Sequence, residues 1–487
     1  MKQRSHVISS LSLILLALRL SANAEDWTRF RGPNGSGISG ALGFPIQFGK
    51  DKNSAWRVPV RLGKSSPVLT PRHVFLTGFE KEKLYTQCFE RNSGKLVWER
   101  ALDRPRRHDE NALNEPAANT PVTDGENVYA FFKDYGLISY DAAGNVRWQV
   151  PLGPFFNTMG LAASPIVGND VIVLQVDQVR GSYIAAFDQR NGELRWKTAR
   201  PELESWATPL LYDSTNRKPL ILTAGWGQFG AHLLETGKRV GNGVGLPPAI
   251  VASPVLEGDK IFVFGYGADA VDPFSDVLKQ LDKNHDGQLT ADEYGDNALL
   301  IGIAKLGGNG DGIVTKDEWD AKLQGLKGPS GLWAFRLESP GESSSDVSLN
   351  LHELWRYKKD FTGVIPSPLL YKGVLYVVRN GGILTALDER TGRVLKMGRM
   401  EGALAGYSAS PVAAEDKVFL VSEDGKVVVV QAGKQWNVLA VNDIGESCFA
   451  TPALSEGEIY LRTDEALYRF DTHARGLSVK PQTERVK

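Results

Sequence analysis

The chain has 487 residues, 42% of which are hydrophobic, and its formal net charge at pH 7 is −1. This composition is typical of a folded globular protein, and it excludes the strongly basic surface on which nucleic-acid binding depends. The length corresponds to about three ordinary domains unless an internal repeat organises the chain.

The first predicted element in chain order is an export signal. Residues 1–4 include the basic Lys2 and Arg4, residues 7–20 form an apolar stretch, and residues 22–24 supply the small side chains of a cleavage site. These features predict a signal peptide over residues 1–24. Glu25, and not a cysteine, stands directly after the cleavage point, and no later stretch has the roughly 18 apolar residues of a membrane span. We therefore expect a periplasmic or secreted protein without a lipid anchor.

A repeat dominates the rest of the chain. Eight Ser-Pro or Thr-Pro pairs are separated by 54, 44, 44, 45, 114, 43 and 41 residues. A period of about 40–50 residues is typical of radial β-architectures, so the single long interval indicates an insertion. The pairs are Ser66-Pro67, Thr120-Pro121, Ser164-Pro165, Thr208-Pro209, Ser253-Pro254, Ser367-Pro368, Ser410-Pro411 and Thr451-Pro452.

The same pattern follows the proline in each module. An apolar run such as residues 171–174 is followed by a second strand, a glycine turn such as residues 188–192, and a last strand. Glycine supplies the positive φ of a tight hairpin. Proline cannot donate to a strand ladder, so the pair belongs to the innermost strand around a channel. The sequence therefore predicts an all-β fold, an eight-bladed β-propeller of four-stranded antiparallel blades.

The eighth module, residues 451–471, lacks a last strand of its own. A matching strand stands before the first module, at residues 54–60, and contains Trp56. We expect this N-terminal strand to complete the C-terminal blade, because doing so closes the ring and removes two sheet edges.

The last strand of several modules contains a tryptophan. These side chains could serve as ligand platforms, but their recurrence favours packing between neighbouring blades. The tryptophans are Trp98, Trp148, Trp196, Trp355 and Trp436, with Val240 and Leu395 at the equivalent positions of two other modules.

Cys88 and Cys448 are the only cysteines of the chain. An exported protein can oxidise such a pair to a disulfide. Their positions in different modules favour the alternative, two buried and unpaired thiols.

The insertion contains a calcium-loop motif at residues 282–293. In the twelve-residue EF-hand loop, positions 1, 3, 5 and 12 supply side-chain oxygens and position 7 supplies a backbone carbonyl. Such an oxygen-rich set with three carboxylates suits Ca²⁺; the alternative is a solvated acidic turn. The expected ligands are Asp282, Asn284, Asp286, Gln288 through its carbonyl, Thr290 through water, and Glu293 with both carboxylate oxygens.

A second, weaker copy of the loop spans residues 307–318. Gly307 replaces the usual aspartate at its first position, so one ligand is missing. Water can substitute for that ligand at a loss of affinity, and the sequence leaves open whether this loop binds the ion. Its expected ligands are Asn309, Asp311, Ile313 through its carbonyl, and Glu318.

The two loops are close together in sequence. Only 13 residues, 294–306, separate them, which corresponds to about 20 Å of helix. We therefore expect a compact pair similar to the dockerin arrangement, held on the rim of blade five. The predicted segments of the chain are residues 1–24 (signal peptide), 25–268 (blades), 269–330 (insertion), 331–471 (blades) and 472–487 (tail).

Several motifs together resemble a known group. The start at residues 27–37, the strand lead-in at residues 121–125 and the Asp-x-x-x-Gly-x-x-x-Trp module ends resemble the secreted PQQ-like β-propeller repeat proteins. The resemblance covers nearly all of the mature chain and implies the propeller fold. That repeat is shared by pyrroloquinoline quinone (PQQ) dehydrogenases and by the non-catalytic propeller of the outer-membrane assembly machinery, so the resemblance implies two different functions.

The resemblance also implies what a quinone site requires. Related dehydrogenases stack PQQ between a vicinal disulfide and a tryptophan, and hold Ca²⁺ with a Glu and an Asn beside an Asp base. This sequence has no Cys-Cys pair, although subfamilies without the disulfide exist. PQQ is therefore an alternative cofactor and not the expected one.

A small-molecule site is expected in the loops that enter the inner strands at one mouth of the channel. The richest loop can bind an anion or seat a carboxylate beside a metal, or it is an exposed charged connection. This loop contains Arg104, Arg106, Arg107, His108, Asp109, Glu110 and Asn111, and leads to Glu115 and Asn119. Trp206, Tyr407 and Phe449 precede other inner prolines, where they suit a glycan, a peptide, a quinone or simple packing.

The sequence favours a non-catalytic scaffold. We expect an exported, monomeric propeller that holds a protein or glycan partner, with Ca²⁺ in the insertion serving a structural role. The alternative function is a PQQ-dependent oxidoreductase acting on alcohols or sugars.

Overall fold

The computed structural model describes residues 27–107, 114–213, 218–268, 272–306, 309–324, 326–338, 349–359 and 364–474. The predicted signal peptide and most of the predicted tail lie outside these residues. Eight separate four-stranded antiparallel sheets confirm the predicted eight-bladed propeller. Within the described ranges, no helix combines the length and the apolar character that a bilayer crossing requires.

The first elements among the described residues are a short 3-10 helix, Pro33–Gly35, and strand β1 (Ser54–Pro59), and the blades follow in order. Blade 1 comprises β2 (Val68–Leu69), β3 (His73–Glu80), β4 (Lys83–Glu90) and β5 (Leu96–Asp103). Blade 2 comprises β6 (Val122–Thr123), β7 (Val128–Phe132), β8 (Gly136–Tyr140) and β9 (Val146–Pro151). Blade 3 comprises β10 (Ile166–Gly168), β11 (Val171–Val176), β12 (Tyr183–Asp188) and β13 (Leu194–Ala199). Blade 4 comprises β14 (Leu210–Tyr212), β15 (Leu220–Gly225), β16 (Gln228–Leu233) and β17 (Arg239–Val244).

Blade 5 is interrupted by the four helices of the insertion between its second and third strands. It comprises β18 (Val255–Glu257), β19 (Lys260–Gly265), β20 (Gly331–Glu338) and β21 (Asn350–Lys358). Blade 6 comprises β22 (Leu369–Tyr371), β23 (Val374–Arg379), β24 (Ile383–Asp388) and β25 (Val394–Arg399). Blade 7 comprises β26 (Val412–Ala414), β27 (Lys417–Val421), β28 (Lys426–Gln431) and β29 (Asn437–Asp443). Blade 8 comprises β30 (Ala453–Ser455), β31 (Glu458–Arg462), β32 (Ala466–Phe470) and, as its outermost strand, β1.

The predicted closure of the ring is confirmed. Strand β1 pairs antiparallel with β32, with Trp56 opposite Arg469. The indole N–H of Trp56 donates to the carbonyl of Arg91 in blade 1 at 3.1 Å. The N-terminal strand therefore completes the last blade and joins it to the first.

The Ser-Pro and Thr-Pro pairs form a closed ring of hydrogen bonds around the channel. In every blade the backbone N–H of the Ser or Thr donates to the hydroxyl of the equivalent residue in the next blade, over 2.9 to 3.1 Å. The repeated hydroxyl thus satisfies a buried backbone donor of its neighbour. Because one direct bond spans adjacent inner strands, the channel inside this ring is narrow.

The recurring tryptophans pack between blades, as predicted. The indole N–H donates to a turn carbonyl of the next blade at 2.9 to 3.1 Å, and the turn glycine lies on the ring. A Cβ at Gly192 would stand 2.7 Å from the ring of Trp148. Trp436 differs, since it precedes β29 and its ring lies 4.4 Å from the ammonium of Lys396. The tryptophans that follow the common pattern are Trp56, Trp98, Trp148, Trp196 and Trp355.

The first described residues cross one mouth of the channel. We call residues 27–38 the plug. Its carbonyls at Trp27 and Thr28 accept N–H groups from the inner strands of blades 1 and 2, both at 2.9 Å. Arg29 and Arg31 donate to the carbonyls of Pro209 and Pro368 in blades 4 and 6, both at 2.7 Å. The plug therefore covers this mouth and binds several inner strands at once.

Both cysteines are buried free thiols. Burial raises the pKa of Cys88 well above its usual range and that of Cys448 to about 12. Neither thiol is poised for redox chemistry, because a protonated, enclosed thiol is a poor nucleophile.

Candidate functional site

The insertion is a small helical module on the face opposite the plug. It joins β19 to β20, at the end of these strands that is remote from the turns the plug contacts. Its core is apolar and buried, and includes the ring pair of Phe274 and Trp319 at 5.8 Å. The helices are α1 (Phe274–Leu281), α2 (Ala291–Tyr294), α3 (Ala298–Leu306) and α4 (Lys316–Gln324).

The first loop is organised by its own carboxylates. Asp282 accepts the N–H groups of His285 and Gly287 at 2.7 and 3.0 Å. Glu293 accepts the N–H and the hydroxyl of Thr290, both at 2.9 Å, and completes a capping box at the start of α2. The backbone N–H of Thr290 lowers the pKa of the Glu293 carboxyl. The side chains of Asp282 and Glu293 therefore order the loop through hydrogen bonds from its backbone.

The second loop repeats the contacts made by the third, fifth and last positions of the first loop. Asp311 donates its N–H to the Asn309 side chain at 3.0 Å, and Asp286 donates to Asn284 at 2.9 Å in the first loop. Glu318 accepts the N–H of the residue three positions earlier at 3.0 Å, as Glu293 does in the first loop. Residues 309–318 of the second loop therefore have the conformation of the matching part of the first loop.

The loops pair through two central hydrophobic residues. Leu289 and Val314 are fully buried and exchange backbone hydrogen bonds at 3.0 and 2.9 Å. Between the loops stand only the single turn of α2 and the nine-residue α3, which agrees with the compact arrangement expected from the spacing. Gly307, the first position of the second loop, lies outside the described residues.

The donor set of the first loop suits a hard cation. Nowhere in the described part of the chain do three His, Cys, Asp or Glu side chains converge as a metal-holding group. The carboxylates of the loop instead accept loop N–H groups, and an EF-hand draws half of its ligands from amide, carbonyl and water oxygens. The residues present therefore fit Ca²⁺ by their chemistry and by their order around the loop.

The module rests on the propeller beyond blade five. Lys322 of α4 forms an ion pair with Glu204, whose side chain is 1% exposed, in the connection between blades 3 and 4. The ammonium of Lys322 also lies 5.5 Å from the ring of Trp226, and burial lowers its pKa to about 8. On α3, Gly302 lies against Thr158 of the connection between blades 2 and 3. From the sequence we expected the module on the rim of blade five. The structure shows that the module also contacts the connections at the channel mouth.

Trp226 has an unusual backbone at this contact. Its φ is 40°, a left-handed conformation that is unfavourable for a bulky residue. Strain of this kind persists only where surrounding contacts hold it. The contact with Lys322 is one such interaction, so the turn between β15 and β16 is part of the docking site of the module.

The described residues of the charged loop, 104–107 and 114–119, do not form one site. Arg104 is buried and pairs with Asp134 at 2.6 Å, whereas Arg107 is exposed and pairs with Glu82. Glu115 lies instead near Lys64, at 3.6 Å. Residues 108–111 of the predicted cluster lie outside the described residues.

Glu115 belongs to a second cluster at the channel mouth. Burial raises the pKa of Glu115, and Lys64 opposes that shift. The Lys64 ammonium also stands 4.7 Å from the ring of Phe449. Asn119 is fully buried and donates to the carbonyl of Ala163 at 2.9 Å. This corner of the mouth therefore combines a carboxyl group, an ammonium group and an aromatic surface.

The other predicted aromatic residues have different roles. Trp206 is half-buried, and its indole N–H donates to Asn157 and to the carbonyl of Gly160 at 3.1 and 3.0 Å. Tyr407 is 1% exposed and donates to the carbonyl of Ala403 at 2.8 Å. Trp206 thus lines the mouth, while Tyr407 belongs to the core.

Sequence reasoning missed the residues that fix the module and the plug. Glu204 and Lys322 are 118 residues apart, and no local motif marks either. A signal did exist for the plug, because residues 27–31 place two arginines beside a tryptophan in a segment that was assigned to no blade. Nothing in that segment indicates which carbonyls the arginines reach.

Comparisons with known proteins agree with this architecture. The family model described as outer membrane protein assembly factor BamB matches residues 49–263 and 342–476, and the unmatched interval contains the whole helical module. The outer membrane protein assembly factor BamB of Shewanella oneidensis is 21% identical over 358 residues, which cover 70% of this chain and 79% of the relative.

Two solved structures have a similar fold. BamB from Moraxella catarrhalis aligns with a TM-score of 0.54 and 13% identity, over 86% of this chain and 99% of that one. A quinohemoprotein alcohol dehydrogenase from Pseudomonas putida HK5 aligns with a TM-score of 0.53 and 13% identity, over 95% of this chain and 82% of that one. At such identities the likeness shows the fold alone. The family match spans well over half of the sequence, and this chain therefore belongs to the family described as outer membrane protein assembly factor BamB.

Proposed function

We propose that the protein is an exported, non-catalytic scaffold that binds Ca²⁺ in its helical module and holds a protein or glycan partner on the face carrying that module. The observation that carries this proposal is the docking of α4 on the channel mouth through Lys322 and Glu204. A calcium-loaded module fixed there gives the face a defined shape. Membership of a family named for an assembly factor supports the scaffold role.

Calcium has a structural part in this proposal. In the first loop Asp282, Asn284, Asp286 and Glu293 offer side-chain oxygens, Gln288 its carbonyl, and Thr290 a water-mediated contact. A bound ion links these groups and stabilises the folded module by mass action. Extracellular modules of this type function with dissociation constants of about 10⁻⁴ to 10⁻³ M, so the first loop is occupied outside the cell without exceptional affinity. In the second loop Asn309, Asp311, Ile313 and Glu318 form a weaker site.

The partner surface is formed by the connections around the channel mouth opposite the plug, beside the helical module. Trp206 and Phe449 are partly exposed there, and Lys64 and Glu115 add charge. Partly exposed aromatic rings beside charged groups suit a peptide or the face of a sugar ring. Loops on a rigid propeller can vary without disturbing the fold, which is what a scaffold needs.

Calorimetric titration of the metal-free mature chain with CaCl₂ tests the calcium site. We expect saturable binding whose tighter component is lost in the Asp282→Ala, Asp286→Ala double variant, so that only the weaker site of the second loop remains. The matched control removes the exposed Asp213 and Asp259, which lie outside the module, and should bind as the wild type does. Absence of a saturable heat in the wild type, or equal binding by both double variants, contradicts the assignment.

A quinone-dependent oxidoreductase is the second candidate. It is favoured by the mouth cluster, where one carboxylate oxygen of Glu115 and the side-chain oxygen of Asn119 are buried without a protein partner. When bound, PQQ would supply the redox chemistry, and these two oxygens are the groups that fit its metal ion. A titration with PQQ and Ca²⁺, followed by dye-linked assays on alcohols and sugars, distinguishes the two functions. Quinone binding with turnover refutes the scaffold proposal, and its absence removes the oxidoreductase.

A further inference from the structure

Eight equivalent positions line the channel mouth beside the helical module. Each stands two residues before the Ser or Thr of an inner strand, and in every blade this residue is partly exposed between two buried neighbours. The Ser and Thr residues are hydrogen-bonded from blade to blade, so the eight preceding positions encircle one opening. We call them the mouth ring: Lys64, Ala118, Ala162, Trp206, Val251, Ile365, Ser408 and Phe449.

The two polar aliphatic members of the mouth ring are engaged within the protein. The ammonium of Lys64 stands 3.6 Å from a carboxylate oxygen of Glu115 and 4.7 Å from the ring of Phe449. The hydroxyl of Ser408 donates to Glu423 at 2.5 Å. Both groups therefore already have partners from the chain itself, and the contacts of Lys64 connect the ring from blade 8 through blade 1 to the connection that enters blade 2.

Further contacts connect the ring from blade 2 to blade 5. Asn114, next to Glu115, donates its side-chain amide to the carbonyl of Gly160 at 3.2 Å. The same carbonyl accepts the indole N–H of Trp206 at 3.0 Å, and the backbone N–H of Trp206 donates to the carbonyl of Ile250 at 3.1 Å. The aromatic members of the mouth ring, in blades 4 and 8 of a ring of eight, therefore stand on opposite sides of one opening.

The surface of this opening is apolar. Six of the eight residues of the mouth ring are Ala, Val, Ile, Phe or Trp, and the indole N–H of the tryptophan is already bonded. A sugar ring brings hydroxyl groups that lose water on binding and need donors and acceptors in return. An apolar side chain needs only to leave water. One position further into the channel the buried residues are mostly alanine: Ala163, Ala207, Ala252, Ala409 and Ala450.

Charged side chains surround this apolar centre. Glu115, Glu423 and Asp464, in the connections of blades 1, 7 and 8, are partly exposed. An apolar centre within a polar rim is typical of protein–protein interfaces, in which a few large side chains supply most of the binding free energy. The opening also adjoins the contact between Lys322 and Glu204, so a polypeptide bound there meets the module as well.

We propose that the mouth ring receives a large apolar side chain presented by a polypeptide segment of the partner. This inference rests on the proposed scaffold function, and it selects a protein partner over a glycan. Trp206 and Phe449 flank the anchoring side chain on two sides, and Val251 and Ile365 contact it between them. The charged rim contacts the polar residues of the segment on either side of the anchor.

Selection of a displayed random dodecapeptide library on the calcium-loaded mature chain tests this surface. We expect the enriched peptides to share a Phe, Trp, Leu, Ile or Met. Alanine at that position should weaken binding of the synthetic peptide by about tenfold or more in calorimetry. Val251→Asp places a carboxylate on the mouth ring and should weaken the same peptide to a similar extent. The matched control, Leu194→Asp, changes an aliphatic residue of an outer strand that is 55% exposed and should bind as the wild type does.

A second ring variant, Phe449→Ala, keeps the test decisive if Val251→Asp does not fold, and it should weaken the peptide too. A library without a saturable binder overturns the proposal, as do peptides that bind the ring variants as tightly as the wild type. Binding of a glycan from an array that is lost in Val251→Asp also overturns it, but leaves the scaffold function standing. Calcium titration of the same samples reports the calcium site separately, so a failure of this inference is distinguishable from a failure of the proposed function.

Discussion

The backbone N–H of Thr451 donates to the hydroxyl of Ser66 at 3.1 Å, although 385 residues separate the two. This is the bond that closes the ring of eight around the channel. Each hydroxyl in the ring satisfies a buried N–H of its neighbour, so no blade can move without leaving donors unpaired. The conserved geometry of this bond in all eight blades makes it a sensitive point for mutation.

Removing one hydroxyl of the ring should destabilise the whole propeller. Ser164 is 3% exposed and accepts the N–H of Thr120. Ser164→Ala leaves that buried donor without a partner, which costs about 1–3 kcal/mol. Ser164→Thr keeps the hydroxyl and is the matched control, since threonine occupies the equivalent place in blades 2, 4 and 8. Urea unfolding measures both, and equal stability of Ser164→Ala and the wild type would disprove the role of the ring.

A turn glycine under a tryptophan should not tolerate a side chain. Gly192 has φ 76° and lies on the ring of Trp148, whereas Gly245 has φ 88° with open space around it. Both alanine variants strain the backbone, but only Gly192→Ala also overpacks the blade interface. We expect Gly192→Ala to lower the free energy of unfolding by about 1–3 kcal/mol more than Gly245→Ala. Indistinguishable denaturation midpoints would show that the tryptophan contact is unimportant.

The two calcium loops should differ in affinity. Glu293→Gln removes a charged ligand from the loop with the full ligand set, and Glu318→Gln does so in the loop that begins with Gly307. We expect the first substitution to weaken total Ca²⁺ binding far more than the second, by at least tenfold in calorimetry. Similar losses in both variants would mean that the loops are ranked wrongly.

The module should be coupled to the propeller through Lys322. The Lys322→Met variant leaves Glu204 buried without its partner, and breaking a buried ion pair in this way costs about 3–5 kcal/mol. Lys316→Met is the control, because this lysine lies on the same helix with its side chain 71% exposed. By linkage, Ca²⁺ should raise the unfolding temperature less in Lys322→Met than in the wild type or the control. An unchanged calcium response in Lys322→Met would show that this lysine does not couple the module to the blades.

Stability should fall in acid partly because of Glu446. Burial raises the pKa of Glu446, but hydrogen bonds from Thr463 and Tyr468 and contacts with Lys50 and Arg57 lower it by more. The net effect is a decrease of the pKa from 4.5 to about 2. Because the folded-state pKa lies below the unfolded one, this stabilisation is present above pH 4.5 and is lost as the pH falls toward 2. Unfolding free energies measured across that window should decline less steeply in Glu446→Gln than in the wild type. Parallel pH profiles would exclude this carboxyl group as a contributor.

The fold was predictable because its signals repeat. One hydroxyl and one proline per blade, at nearly constant spacing, indicated how many blades there are, and the missing last strand of the eighth module identified Trp56 as its replacement. These features are dictated by local turn chemistry and by the need to close sheet edges. The structure adds the reason for the Ser or Thr, which is the bond between neighbouring blades.

The plug and the docked module were not predictable, because their contacts are single and distant. Arg29 reaches a carbonyl 180 residues away, and nothing near it in sequence repeats. Proximity in sequence was also misleading at the channel mouth, where Arg104 and Glu115 contact different blades. The loop at residues 282–293 was the opposite case, since all of its expected ligands lie within one short segment.

The pairing of β1 with β32 constrains the order in which the propeller can fold during synthesis. Strand β1 is synthesised early but can pair only at the end of synthesis. Its partner β32 in the last blade is complete only when Phe470 has been made. Contacts of such long range form slowly, so the nascent protein carries an unsatisfied β-edge throughout its synthesis. The ring can therefore close only after nearly the whole chain has been synthesised.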